Sequence, residues 1–67
     1  MNYDQAIADV QSGMYAWYSG WAPGTYIYLY EAQVYQSTAT GPGHLYDPTP
    51  ADKAATTWVA SDHPPHP

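Results

Sequence analysis

The chain has 67 residues, with six Asp or Glu side chains, one Lys and no Arg, which gives a formal net charge of −5 at pH 7. This acidic balance argues against a protein that tracks the phosphates of a nucleic acid, because such proteins carry basic stripes. The absence of Cys excludes a disulfide framework and a Cys-ligated zinc site.

The size of the chain limits how stable a monomer can be. A domain this short buries only about 60% of the surface that its unfolded form exposes, and self-association is a common way to add stability. The three Trp and eight Tyr residues suit an interface, since aromatic residues are enriched at protein contacts. No apolar stretch is long enough to span a bilayer, and the first residues do not show the charged region followed by an apolar run that is typical of a secretory signal. We therefore expect a cytoplasmic protein without a membrane partner.

The first predicted element is a helix that begins after Asn2. Asn2 is a suitable N-cap, and Gln5 lies three residues later as its partner in a capping box. The apolar residues Tyr3, Ile7 and Val10 follow the helical period. Gly13 is placed to end the helix as its C′ residue.

Two strands are predicted after this helix. The first covers residues 14–19, which are rich in aromatic side chains. Residues 22–25 fit a type II turn, with Pro23 fixing φ at the second position and Gly24 supplying a positive φ at the third; a longer loop is the alternative. The second strand, residues 26–30, alternates Tyr with Ile27 and Leu29, so the tyrosines lie on one face and the aliphatic side chains on the core face.

The second half of the chain is predicted to complete a small sheet. Residues 31–36 either continue the tyrosine strand or turn tightly into a third strand, and residues 37–43 are expected to form a polar loop. Thr49 can cap a short helix that has Pro50 at its first position and Asp52 in its first turn. Residues 56–60 then predict a closing strand.

Together these elements predict an α+β fold, in which an N-terminal helix packs on a small, mostly antiparallel sheet and a second short helix precedes the last strand. Residues 1–61 form the single domain. Residues 62–67, which are rich in Pro and His, are expected to be an extended or disordered tail.

The polar residues form no recognisable catalytic or metal-binding motif. His63 and His66 would lie roughly 9 Å apart in a polyproline conformation, too far for one metal ion. Asp47 and Asp52 could meet His44 for acid–base chemistry, yet nothing in their spacing requires it. We therefore expect no enzyme activity, no metal and no cofactor.

Several segments form an ordered pattern along the chain. They are Met1-Asn2-Tyr3 with Ala6-Ile7, the helix-ending Gly13, the pair Gly20-Trp21, the strand Tyr26-Ile27-Tyr28-Leu29, and the run from Pro48-Thr49-Pro50-Ala51-Asp52 to Trp58. In their order and spacing these segments resemble the second family of phage Thoeris anti-defence proteins. The similarity covers nearly the whole chain apart from the loop after Ser37 and the tail.

Members of that family are sponges, which sequester cyclic ADP-ribose isomers made by TIR-domain enzymes and do not degrade them. They form homo-oligomers, tetramers where known, and some also hold cyclic oligonucleotides. The resemblance therefore implies a protein that binds a cyclic nucleotide signal in the cytoplasm of the infected bacterial host. It would thereby block Thoeris-type immunity.

The resemblance also implies a set of ligand-binding residues in a pocket between protomers. The pair at the helix start corresponds to Asn2 and Tyr3, and the Trp of the Gly-Trp pair corresponds to Trp21. The second motif implies Thr49 and Asp52 as polar contacts, with the closing Trp58 beside or behind the pocket. Members usually have a basic residue a few positions before the Gly-Trp pair, where this chain has Trp17 and Tyr18. With only Lys53 available, backbone N–H groups, helix N-termini and hydroxyls would have to hold a diphosphate.

Each of these residues also has a structural interpretation. Asn2 and Asp52 favour helix N-termini, and Trp58 suits the core of a small domain. Two alternatives to the sponge are an oligomeric protein-interaction or structural module without a nucleotide ligand, and a hydrolase of the same signals. Recovery of intact nucleotide, of none, or of cleaved nucleotide would separate the three.

Overall fold

The structure, a computed structural model, describes residues 1–22, 24–38 and 41–64. It confirms the predicted α+β fold: a helix, an antiparallel sheet and a second short helix before the last strand. The elements in chain order are α1 (Tyr3–Gln11), β1 (Tyr15–Trp17), β2 (Tyr26–Tyr30), β3 (Gln33–Thr38), β4 (Gly41–Leu45), α2 (Pro50–Ala54) and β5 (Val59–Ser61).

Helix α1 begins and ends as the sequence predicts. The Asn2 side chain accepts a hydrogen bond from the Gln5 backbone N–H at 2.9 Å, and the Gln5 side chain accepts one from the Asn2 N–H at 3.1 Å. These two bonds form the capping box. After the C-cap residue Ser12, Gly13 has a φ of 108°, a conformation that Gly adopts without strain.

The sheet has the strand order β4-β3-β2-β1-β5, and every neighbouring pair is antiparallel. Strand β5 therefore lies at the opposite edge from β4, and the connection through α2 crosses the molecule from one edge to the other. On the face covered by α1, Ala16 lies opposite Ile27, and both are fully buried. With Ala6 and Val10 of α1 and with Trp58 they form the core.

The segment after β2 turns tightly into a third strand, the second of the two alternatives above. Tyr30 pairs with Gln33, and the two residues between them, Glu31 and Ala32, have φ angles of 50° and 66°. Two consecutive positive φ angles are typical of a type I′ hairpin turn.

The predicted polar loop over residues 37–43 is wrong. Strand β3 continues to Thr38, and β4 pairs with it from Gly41 onward. The Gly and Pro residues indicated a loop, but β4 is an edge strand, where Pro and Gly are tolerated. Gly43 has a packing role as well, because a Cβ atom at this position would overlap the Tyr28 hydroxyl.

Three further predictions concern turns and chain ends. The Thr25 N–H donates to the Ala22 carbonyl at 3.1 Å and Gly24 has a φ of 88°, as the predicted turn requires, while Pro23 lies outside the described residues. The closing strand begins one residue after Trp58, later than predicted. The end of the predicted tail, residues 65–67, also lies outside the described residues.

The hairpin turn between β2 and β3 offers a test of the fold. Replacing Glu31-Ala32 by Asn-Gly should raise the free energy of unfolding by about 1 kcal/mol, because Asn and Gly adopt a positive φ with less strain. For a domain of this size that corresponds to a Tm roughly 4–8 °C higher, measurable by thermal unfolding followed by circular dichroism.

Gly13→Ala is the matched control, and it should lower the free energy of unfolding by a similar amount. Nothing lies within 4 Å of a Cβ atom at Gly13, so its cost is conformational only. An Asn-Gly variant that is no more stable than the parent would contradict the turn described here.

Candidate functional site

The candidate site is built around Asp52, which lies in the first turn of α2 and is 4% exposed. The local sequence explains its position. Thr49 caps α2 by accepting from the Asp52 N–H at 3.2 Å, and the Asp52 carboxylate accepts from the Thr49 N–H at 3.1 Å. Pro50 follows at the first helical position, where its missing N–H costs nothing. The second helix is thus confirmed as predicted.

The Asp52 carboxylate accepts four hydrogen bonds. Oδ1 accepts from the Tyr18 hydroxyl at 2.6 Å and from the Trp21 indole N–H at 3.2 Å. Oδ2 accepts from the Tyr46 hydroxyl at 2.9 Å and from the Thr49 N–H. Since an ionised carboxylate has about four lone-pair sites, its acceptor capacity is filled by neutral donors.

These bonds keep the carboxylate ionised despite its burial. Burial by itself raises the pKa of Asp52, but the hydrogen bonds from Tyr18, Thr49 and Tyr46 outweigh it and hold the pKa below its usual value. The same hydrogen bonds have the opposite effect on the pKa of the tyrosines. The bond to Asp52 raises the pKa of Tyr18, and burial followed by the bond to Asp52 raises the pKa of Tyr46. Near neutral pH the carboxylate is therefore charged and both phenols are protonated donors.

Aromatic rings enclose this carboxylate and form, with it, a continuous cluster. Trp21 lies with its ring centroid 5.0 Å from that of Tyr18, 5.1 Å from that of Trp58 and 5.8 Å from that of Tyr46. Tyr3 extends the group by an edge contact with Trp58 at 5.9 Å. We call this set the Asp52 cluster; its members are Tyr3, Tyr18, Trp21, Tyr46, Asp52 and Trp58.

Trp58 is the buried centre of the cluster and is 2% exposed. Its indole N–H donates to the Asp52 carbonyl at 3.1 Å, and its backbone N–H donates to the Met1 carbonyl at 3.1 Å. The Met1 amino nitrogen donates in turn to the Trp58 carbonyl at 3.1 Å. Through Trp58 the start of the chain, α2 and β5 are therefore held together.

The structure brings the six ligand-binding residues implied by the resemblance to one region, but it gives them different exposures. Asn2 and Thr49 are exposed, and both act as helix caps. Tyr3 and Trp21 are half-buried, so part of each ring faces outward. Asp52 and Trp58 are buried, and a ligand could touch the Asp52 carboxylate only by displacing one of its four donors.

Sequence reasoning missed two members of the cluster, Tyr18 and Tyr46. The sequence predicts Tyr18 as part of the first strand, which ends one residue earlier, and it assigns no role to Tyr46. Their bonds to Asp52 join residues 34 and 6 positions apart. The one available signal was the composition: a chain with a single Lys and no Arg has few cations to pair with a buried Asp, and Tyr hydroxyls are suitable neutral donors.

Several other features bear on function. In the described ranges 1–22, 24–38 and 41–64, the structure holds no pocket and no group of three side chains placed to bind a metal ion. The described helices are too short and too polar to cross a membrane. His63 is exposed, and its Nδ1 lies 2.8 Å from the Asp62 carboxylate and 3.1 Å from the Ser61 hydroxyl. His66 lies outside the described residues.

Comparison of the chain with protein-family models, with curated proteins and with solved structures yields no match. The family resemblance therefore depends on the sequence segments themselves.

The Asp52 carboxylate provides a direct test of the cluster. Asp52→Asn should lower the free energy of unfolding by about 3 kcal/mol or more, because the amide nitrogen would face buried N–H or O–H donors that lose their acceptor. Asp62→Asn is the matched control at an exposed position and should leave stability unchanged. Chemical denaturation measures both, and an equally stable Asp52→Asn protein would show that the buried network contributes little.

The lowered pKa of Asp52 also sets a pH dependence. The group binds protons more weakly in the folded state than in the unfolded chain, so its contribution is present above the unfolded pKa of about 3.9. That contribution is lost as the pH falls through the lower folded pKa. We expect stability to fall below about pH 4, and this acid-sensitive part to be absent in Asp52→Asn. Denaturant midpoints measured from pH 7 to pH 2 on both proteins would check it, and parallel curves would contradict it.

Proposed function

We propose that this protein is a sponge for a cyclic nucleotide immune signal. In this proposal a homo-oligomer, a tetramer by the family resemblance, binds a cyclic ADP-ribose isomer or a cyclic oligonucleotide without cleaving it. In the cytoplasm of an infected bacterium, sequestration of the signal would prevent activation of Thoeris-type immunity. The proposal involves no nucleic acid polymer and no membrane.

The observation that carries this proposal is the convergence of the implied binding residues. These residues are spread over most of the chain. Four of them contact one another directly, and the other two cap the helices that carry members of the set. Tyr3 contacts Trp58, Trp21 contacts both Trp58 and Asp52, and Thr49 caps the helix that carries Asp52. Asn2 caps the helix that begins with Tyr3. A binding site distributed over distant segments requires such a meeting point.

The outward-facing groups in this region suit a nucleotide. The half-buried rings of Tyr3 and Trp21 can stack on a base, which is worth roughly 1–3 kcal/mol per contact. The exposed Asn2 amide and Thr49 hydroxyl can hydrogen-bond to ribose or phosphate oxygens, and the N-terminus of α1 favours an anion. Since the described part of one chain has no pocket, a second protomer would have to complete the site.

The protonation states in the Asp52 cluster favour binding over catalysis. A general acid or base works best when its pKa lies near the operating pH. The pKa of Asp52 is shifted downward, and the pKa values of Tyr3, Tyr18 and Tyr46 are shifted upward, all away from neutrality. These groups would therefore not exchange protons with a ligand bound beside them.

A second candidate function is an oligomeric interaction module without a nucleotide ligand. It is favoured by the aromatic sheet face on the other side of the molecule, which contains Tyr28 and Tyr35 in a stacked pair. This alternative predicts an oligomer that stays empty in the presence of every nucleotide tested.

Native mass spectrometry with a panel of cyclic ADP-ribose isomers and cyclic di- and trinucleotides tests the proposal. We expect an oligomer that carries an integral number of intact nucleotides, recoverable unchanged after heat denaturation. An oligomer that remains empty across the panel would favour the interaction module, and recovery of cleaved nucleotide alone would favour a hydrolase.

A matched pair of variants then locates the site. Asn2→Asp retains the N-cap, since Asp caps as well as Asn, but places a negative charge where the proposal puts a phosphate-bearing ligand. We expect at least tenfold weaker binding with unchanged thermal stability. Gln11→Glu adds the same charge at the exposed far end of α1, about 13 Å away along the helix, and should bind normally. Equal affinities would place the ligand elsewhere.

A further inference from the structure

The face of the sheet opposite α1 is lined by aromatic side chains. Successive residues of a strand point to opposite faces, so the burial of Ala16 and Ile27 under α1 places their strand neighbours on the other side. On β3 the partner of Tyr28 is Tyr35, which therefore lies on the same outer face. We call this surface the tyrosine face; its aromatic members are Tyr15, Trp17, Tyr26, Tyr28, Tyr30 and Tyr35.

Five tyrosine rings of this face contact one another across three strands. Tyr15 lies 5.6 Å from Tyr26 between ring centroids, and Tyr26 lies 5.8 Å from Tyr28. Tyr28 stacks on Tyr35 at 6.0 Å, and Tyr35 meets Tyr30 edge-on at 5.7 Å. Mutual contact between neighbours fixes these bulky side chains as a continuous surface.

Neither helix covers this surface, because α1 packs on the side where Ala16 and Ile27 are buried. Apolar groups remain exposed around it: Tyr30 is 55%, Leu45 56% and Val59 47% exposed. By strand register, Leu45 lies beside Tyr35 at one edge of the sheet and Val59 beside Trp17 at the other.

The tyrosine face carries no formal charge. None of the five strands contains an Asp, Glu, Lys or Arg residue, so every acidic residue of the chain and Lys53 lie in helices, turns or connections. In a chain of net charge −5, the strands of this face therefore bring no carboxylates of their own against a second copy. The helix side, by contrast, carries Asp4 and Asp9 on α1.

We propose that the tyrosine face packs against the same face of a second copy of this chain. The contact would be a two-sheet sandwich with aromatic side chains between the layers. The molecule measures 25 × 24 × 21 Å, so one side offers on the order of 500 Å² and the pair about twice that, near the lower limit for a specific interface. The small core, in which Trp58, Ile27 and Val10 are the largest fully buried side chains among the described residues, would gain from this second apolar layer.

This arrangement goes beyond the proposed function and leaves room for it. The Asp52 cluster shares no residue with the tyrosine face and includes Tyr3 of α1 and Asp52 of α2, so the sandwich would leave the outward-facing rings of Tyr3 and Trp21 uncovered in both copies. Two such dimers meeting through their Asp52 clusters would give a tetramer with shared ligand sites. That last step rests on the proposed function, whereas the sandwich itself does not.

Sedimentation velocity without nucleotide tests the sandwich. We expect the parent chain to sediment as a dimer or tetramer at micromolar concentration. Leu45→Glu and Val59→Glu, at exposed positions on opposite edges of the face, should each lower the assembly by one step, to monomer or dimer. Gln11→Glu adds the same charge on α1 and should keep the parent mass. Circular dichroism confirms that each variant is folded.

A second measurement tests the contact without adding charge. The chain has no Cys, so Leu45→Cys and Gln11→Cys each introduce a single thiol. At a concentration where the parent is assembled, Leu45→Cys should react with a maleimide at least tenfold more slowly than under dilution. Gln11→Cys should react equally fast at both concentrations.

A parent chain that stays monomeric at 100 times the dilute concentration, or glutamate variants that keep the parent mass, would overturn the sandwich. Equal labelling rates for Leu45→Cys at both concentrations would also overturn it. The outcomes are separable from those of the proposed function. If the chain assembles without nucleotide, loses that assembly in Leu45→Glu and binds no nucleotide, the sandwich is supported and the sponge is contradicted. If Leu45→Glu remains fully assembled and binds nucleotide, the sponge is supported and the sandwich is contradicted.

Discussion

The fold depends on one buried charge that has no cationic partner. Desolvating a carboxylate is costly unless hydrogen bonds replace its water, and with a single Lys and no Arg the chain supplies neutral donors instead. Tyr18 and Trp21 come from the loop after β1, Tyr46 directly follows β4, and all three donate to the Asp52 carboxylate. The carboxylate therefore ties the loop after β1, the end of β4 and helix α2 together, as a disulfide or zinc ion does in other small domains.

This arrangement separates support from recognition within one cluster. Asp52 and Trp58 are buried and saturated with internal bonds, so their substitution damages the fold whether or not a ligand exists. Tyr3 and Trp21 contact the same core but keep one side outward, and Asn2 and Thr49 are exposed. Loss of ligand binding in an Asp52 variant would thus not show that the ligand contacts Asp52. Substitutions that retain a cap, such as Asn2→Asp, discriminate better.

Local signals were sufficient for most of the fold. The capping box at Asn2, the Thr49 cap, the helix end at Gly13 and the alternation in β2 each involve residues a few positions apart, and all were predicted. Strand β4 was missed because Gly and Pro near Gly43 signal a loop, while their tolerance depends on an edge position that only the sheet order reveals. The donors to Asp52 were missed for a similar reason, since a capping role already accounts for an Asp at that position.

The aromatic residues serve two physical purposes on the two sides of the sheet. Around Asp52 they act through their polar tips, as donors that remain protonated because the carboxylate raises the pKa of Tyr18 and Tyr46. On the tyrosine face they act through their rings, which give a broad neutral surface to strands without charged residues. Tyr can serve in both places, because its side chain combines a polar tip with an apolar ring. Basic residues could pair with the buried carboxylate, but on the outer face they would add charge. A chain with one cation can in this way stabilise a buried anion and still present an uncharged face for association.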